Sequence, residues 1–279
     1  MIQLSITICT RNRWAEVRQT IRNLQGCGLD QCPLLVGDDA SSEPCPIDFS
    51  IWRGKHHVYR SDENIGYIPH RNRLVEASET PYVLVLDDDS NPTSGDFAEA
   101  MEILENPAVA VVGFPVRLPS GDWQVPPQGS NQRHRSFIGC AHIVKRSLFL
   151  KSGGYREELV HQGEEMDLGA RLFSASLQCI HCDQPAFEHR FTQANRSYER
   201  MDYFGTRNEL LFYDWYAPAL FSIPLLAKIL LKRSLLALKV RRVSVLKGIL
   251  AWIRDRYSLK MFRKRLTPAE WRAYRALPY

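Results

Sequence analysis

Short apolar runs and stretches of helical periodicity alternate along the first half of the chain. At residues 3–9, Leu4, Ile6 and Ile8 alternate with polar neighbours and predict a strand. Residues 10–13 break it, and Val17, Ile21 and Leu24 then recur at helical spacing over residues 14–24. A short apolar run at 33–37 stops at Asp38 and Asp39, and residues 57–60 predict a further strand. A helix is expected over 68–77. Five apolar residues at 82–86 then end abruptly in Asp87, Asp88 and Asp89. Residues 97–104 read as a helix, 109–114 as a strand, 137–144 as a strand and 164–173 as a helix. Between them, the Pro, Gly, Ser and Gln content of 117–135 predicts a long loop, of a length usually kept for function. There is no internal repeat and no low-complexity tract.

Apolar strands that alternate with helices predict an α/β fold with a mostly parallel sheet covered on both faces. In such sheets ligands bind beyond the carboxyl ends of the strands. Two strands here end in consecutive aspartates, so the acids stand where a ligand is expected.

The 279 residues suffice for one α/β domain with an appendage, and 44% hydrophobic with 24% charged residues excludes disordered and collagen-like classes. The net charge of +5 is unevenly spread. Acids dominate before about residue 202, whereas the tail from Lys228 to Arg275 is rich in Lys and Arg and points to an anionic surface. The N-terminus reads as a strand rather than a leader, and the uncharged stretch 215–227 is short and holds two prolines, so a cytosolic protein is expected. Seven cysteines, an odd number, fit reduced thiols.

Three adjacent carboxylates repel one another unless a cation neutralises them. Asp87, Asp88 and Asp89 therefore suggest hard-oxygen coordination of Mg2+ or Mn2+ bridging to a diphosphate, against a plain solvated turn. Asp38 and Asp39 can accept from a base N–H or ribose hydroxyls, although an Asx turn closed on Ser41 explains them equally. Arg71 on the 68–77 helix can donate paired N–H groups to a base or phosphate, or be an ordinary surface arginine. Glu164, Glu165 and Asp167 put three acids in the first turn of a helix. They either serve its dipole and pair with Arg171, or offer a general base with a raised pKa. Cys179-Ile180-His181-Cys182 has zinc-like spacing but no second cysteine pair, and reads as a buried strand.

The ordered set of Ser5 to Arg13, Val36 to Ser42, Asn64-Ile65-Gly66 with Arg71-Asn72, Leu86 to Asp89, Gly153-Gly154-Tyr155 and Gly163 to Leu168 resembles glycosyltransferase family 2. The resemblance covers roughly residues 1–215 and is nearest to the bacterial branch of rhamnosyltransferase-like enzymes in surface polysaccharide assembly. It implies a GT-A fold, a nucleotide-sugar donor, a divalent metal and inversion at the anomeric carbon. By that likeness Thr10, Arg13 and Asp39 contact the nucleoside, with Asp38 and Asp88 grouped beside them, and Arg71 reaches the base or diphosphate. Asp87 and Asp89 match the ends of the Asp-x-Asp metal motif, and His189 falls near the metal or diphosphate. The family's base is usually the Asp of a Glu-Asp pair; here that slot holds Glu165 after Glu164, which leaves Glu164, Glu165 and Asp167 as competing candidates. Arg207-Asn208 resembles a later signature of the same branch.

The expected organisation is a nucleotide-binding half (1–115), an acceptor-binding half (116–215) and a basic helical extension (216–279). In that extension Leu225, Leu226, Ile229 and Leu230 oppose Lys228 and Lys232, a pattern that suits packing on the domain or lying on an anionic membrane. The expected partners are a nucleotide-sugar donor and a saccharide or lipid-linked acceptor, with no nucleic acid. Two rival readings are a sugar-nucleotide nucleotidyltransferase, which needs a Gly-rich loop where Thr10 to Arg13 stand, and a non-catalytic nucleotide-sugar scaffold.

Overall fold

The computed structural model describes residues 3–191 and 197–279. Its spine is an eight-stranded sheet. β1 (Leu4–Thr10) lies between β2 (Leu34–Asp38) and β4 (Tyr82–Asp87), with β3 (His56–Arg60) outside β2, all four parallel. Helix α1 (Trp14–Gly26) links β1 to β2, and α2 (Tyr67–Ala77) links β3 to β4. After β4 the chain forms β5 (Ser90–Pro92), helix α3 (Ala98–Glu105) and β6 (Val109–Gly113). β7 (Val116–Arg117), β8 (Trp123–Val125) and β9 (Gln132–His134) follow, then β10 (Ala141–Lys145).

β10 inserts antiparallel between β4 and β6. Beyond β6 come β11 (Gln178–His181), parallel to it, and antiparallel β9. Six of the eight strands thus share one direction, and the reversed pair lies in the second half. Alternation along the strands feeds two cores. Leu84 and Leu86 face one with Ile6 and Ile8, while Val83 and Val85 face the other.

A second sheet, ordered β5-β12-β7-β8 with β12 (Phe187–His189), sits at the strand tips. It corrects the expectation for residues 117–135, which contribute β8 to this sheet and β9 to the main one instead of an irregular loop. The strand expected over 137–144 begins only at Ala141, leaving residues 137–140 as a turn ahead of it.

Helix α4 (Arg146–Lys151) leads to α5 (Glu164–Ser174). The chain ends in α6 (Tyr198–Tyr216), α7 (Ala219–Val240), α8 (Val243–Ser258) and α9 (Pro268–Ala276). Ser197 caps α6 by accepting from the Arg200 N–H, and Thr267 with Glu270 forms a capping box on α9. Leu226, Ile229, Trp252, Leu266, Trp271 and Tyr274 from these helices share one core with Leu168, Leu172 and Phe212. The last residues then return to the main sheet: Arg135 N–H donates to the Pro278 carbonyl, and the Tyr279 carbonyl lies 2.8 Å from His134 Nδ1. All seven cysteines are free thiols.

Candidate active site

The parallel strands β1, β2 and β4 end side by side, and their tips carry the acids. Asp87 closes β4 with its side chain 37% exposed, whereas Asp88 and Asp89 are buried behind it. Asp88 accepts from Thr10 Oγ1 at 2.7 Å, and Arg13 lies 3.2 Å from Asp88 and 2.5 Å from Asp89. The smaller sheet completes the cluster: the register that pairs His189 with Ser90 sets the imidazole 3.3 Å from Asp89. Donor atoms of Asp87, Asp89 and His189 all lie within 4.8 Å of one another. Two carboxylates and an imidazole at that spacing form a donor set that could hold a divalent metal ion.

Electrostatics divides the triplet. Burial raises the Asp88 carboxyl, and with Asp89 beside it the value stands at about 7 despite Arg13. Burial also works against ionised Asp89, but His189 and Arg13 hold it well below the usual carboxylate range. For His189, burial disfavours the cation, yet the Asp89 contact pushes its pKa up to about 10. Gln124 of β8 fixes the ring from the other side, with Oε1 2.9 Å from Nδ1.

Arg71 connects this cluster to the facing helix. Asp39 accepts from the N–H groups of Ile65 and Gly66 at 2.7 and 3.0 Å, and so anchors the start of α2 with a negative charge at the helix N-terminus. One turn on, the buried Arg71 donates to Asp87 (2.5 Å), Glu164 (3.2 Å) and the Gly139 carbonyl (3.0 Å), and stands 4.0 Å from Glu165. Its guanidinium lies 4.8 Å from the centre of the Tyr67 ring.

Glu164 is sealed behind Arg71, while Glu165 keeps a 19% exposed side chain that lines a cavity of about 450 Å³. Tyr67, Phe114, Gln124, Gly139 and Tyr279 line the same cavity. Burial, then the Glu164 charge, raises the Glu165 pKa well above the ordinary value, and Arg71 opposes them. Such a carboxyl is a stronger base than a solvated one. A side chain at Gly139 would place its Cβ 1.9 Å from Glu165 Oε1, so any larger residue in the turn before β10 would push the Glu165 carboxylate aside.

Besides the sealed Glu164, two sequence-predicted residues stay away from the cleft. Asp38 is fully buried, its oxygens taken by the Ser41 N–H and Arg60 at 2.9 and 2.8 Å, which is the Asx turn. Asp167 is also buried; Arg156, Arg171 and the Tyr216 hydroxyl occupy its two oxygens at 2.8, 2.8 and 2.6 Å. On a helix, residues two apart point about 200° from one another, so an Asp167 that faces the core goes with a Glu165 that faces the cavity. Arg207-Asn208 holds the loop before α5. Arg207 donates to the Glu158 carbonyl and to Asp255, and Asn208 donates to the carbonyls of Leu159, His161 and Gln162. Gln124, Gly139 and Tyr279 were not singled out as site residues by sequence; only the first lay in a segment marked by its composition.

The backbone fold that carries these residues recurs in solved structures. A mannosyltransferase from Pyrobaculum calidifontis, solved with GDP-Man and Mn2+, superposes with a TM-score of 0.63 over 91% of this chain and 87% of its own, at 14% identity. GalNAc-T7, solved with UDP, GalNAc and Mn2+, gives 0.62 over 77% of this chain and 48% of its own, also at 14% identity. The fold is the GT-A fold of nucleotide-sugar transferases. Residues 5–156 match glycosyl transferase family 2, and the chain belongs to that family. A pre-mycofactocin glycosyltransferase of Mycobacterium tuberculosis is 27% identical over 191 residues, 62% of this chain. The chain matches 39% of that relative's length.

Proposed function

We propose that the protein transfers a sugar from a nucleotide diphosphate donor to an acceptor hydroxyl, with inversion at the anomeric carbon. One observation carries the reading. The acids and imidazole at the strand tips (Asp87, Asp89, His189) are joined through buried Arg71 to Glu165, which faces a cavity of acceptor size. GDP-Man with Mn2+ and UDP with Mn2+ in the two similar structures support a donor of this class and a divalent ion.

In this reading Asp87, Asp89 and His189 hold Mg2+ or Mn2+, which when bound neutralises charge on the departing diphosphate. Thr10, Arg13 and Asp88 form the floor under the nucleotide, and Asp39 keeps α2 and its Arg71 in register beneath the diphosphate. Glu165 takes the proton from the acceptor hydroxyl as it attacks the anomeric carbon from the face opposite the leaving group. Arg71 orients both glutamates, and Glu164 raises the basicity of Glu165 through its charge. Tyr279 offers ring surface to an acceptor sugar.

The acceptor class is a saccharide or lipid-linked saccharide of bacterial cell-surface polysaccharide assembly, met on the cytosolic side. Residues 1–115 act as the donor half, 116–215 as the acceptor half, and 216–279 as the extension. Transfer and donor hydrolysis measured with a panel of UDP-, GDP-, dTDP- and CMP-sugars, with and without Mn2+, test the proposal. Metal-stimulated release of one nucleotide diphosphate is the expected result. Pyrophosphate exchange with a sugar 1-phosphate would identify a nucleotidyltransferase instead, and donor binding without turnover would identify a scaffold.

A further inference from the structure

The C-terminal hairpin presents an apolar face that no described part of the protein covers. α7 and α8 each pack one side against the body, through Leu226, Ile229 and Ala237 in the first and Val245, Gly248 and Trp252 in the second. The contact is close: a Cβ at Gly248 would meet the Tyr203 carbonyl of α6 at 2.5 Å. The exposed apolar residues are therefore surplus to core packing. On α7, Ile223, Leu231 and Leu238 are 77%, 63% and 75% exposed. On α8, Leu250, Ile253 and Tyr257 are 65%, 48% and 70% exposed. Their spacings keep each set on one helical face. A hairpin of these lengths carries a patch on the order of 600 Å², the upper end of what soluble monomers expose.

Charge identifies the occupant. From residue 216 onward there are fifteen Lys and Arg against two acids, Asp255 and Glu270, and Asp255 is buried against Arg207. The preceding residues carry twenty-one basic against twenty-nine acidic side chains. Lys228, Lys239, Lys247 and Arg254 are exposed on the helices that carry the apolar residues. A second copy of this chain would bring the same cationic rims together, whereas an anionic bilayer neutralises them and takes up the leucines. Among the described residues no helix is long and apolar enough to cross a membrane, so the fit is to its surface.

We propose that α7 and α8 dock the protein flat on an anionic lipid surface, with the apolar residues in the headgroup boundary and the lysines at the phosphates. The proposal goes beyond the transfer reaction, and its test needs no substrate. The full chain is floated with phosphatidylcholine vesicles, with or without a one-third share of phosphatidylglycerol. Most of the protein should rise with the anionic vesicles, and binding should weaken roughly tenfold or more in about 1 M salt, where the screening length is about 3 Å. Replacing exposed Leu235 and Leu250 together with serine should weaken vesicle binding by a similar factor while the thermal transition stays in place. No flotation with anionic vesicles at low salt would overturn the proposal, as would flotation unchanged by the serine pair. Self-association abolished by the same substitutions, without vesicle binding, would assign the face to a second copy and overturn it as well.

Discussion

Two regions of this molecule collect carboxylates and arginines, and they do so with opposite stoichiometry. Around Asp167 and Asp214 the arginines outnumber the acids: Asp167 receives Arg156 and Arg171, and Asp214 receives Arg256 and Arg263. At the strand tips and the facing start of α5 the acids outnumber the arginines. Asp87, Asp88, Asp89, Glu164 and Glu165 share Arg13 and Arg71. In the first region every negative charge is matched inside the protein, as burial of a charge requires. In the second the arginines are too few, and the balance comes from protons: His189 is held as a cation beside Asp89, and the Asp88 and Glu165 carboxyls are raised. Acid count alone does not mark the site; acids whose balance depends on movable protons do.

Substitutions can break this contrast directly. The largest effect is expected from Glu165→Gln, which removes the proton acceptor but keeps the shape; transfer should fall about 10³-fold with donor affinity within about twofold, measured by initial rates and donor titration. Asp89→Asn comes next. It should cost about 10² in rate and weaken the response to Mn2+, read from rates across a metal titration. Gly139→Ala drives a Cβ into the Glu165 carboxylate and should also lower the rate, by up to about 10², at unchanged far-ultraviolet dichroism. Asp167→Asn should do the reverse: about 3 kcal/mol of stability lost in urea unfolding, because two arginines lose their buried counter-charge, with the rate per folded molecule retained. A loss of rate in that variant as large as in Glu165→Gln would erase the distinction between the regions.

The smallest effect concerns pH. Burial and the Glu164 charge both raise the Glu165 pKa, so the rate should climb with pH along a limb above the usual carboxylate range. Glu164→Gln removes one of those causes and should move the limb to lower pH. The stability sign is opposite to that of a salt-bridged acid. A folded pKa above the unfolded one stabilises the protonated fold, so the contribution is present below the ordinary Glu range and is lost as pH rises through the folded value.

Much of the strand framework was legible because apolar runs and their breaks are local properties. β1, β2, β4 and β6 and the helices between them fall within a few residues of where the pattern put them. The clustering of Asp87 and Asp89 with His189 followed from the family resemblance, since nothing in the periodicity joins residues a hundred positions apart. The fate of Asp38 was in principle readable, because successive side chains on a strand point to opposite faces and only one of Asp38 and Asp39 can face a ligand. Gln124 and Tyr279 were beyond reach. One sits on β8, which is brought to the site because its hairpin partner β7 pairs with the distant β12, and the other on a segment that folds back 145 residues to His134.

The bond from Asp255 to Arg207 limits how this protein can be cut or recombined. A truncation at Tyr216 would look sensible by composition, yet it would strip the counter-charge from Arg207, expose Phe212 and Leu172, and delete one wall of the cavity. The C-terminal helices are therefore poor candidates for exchange between relatives as an interchangeable module.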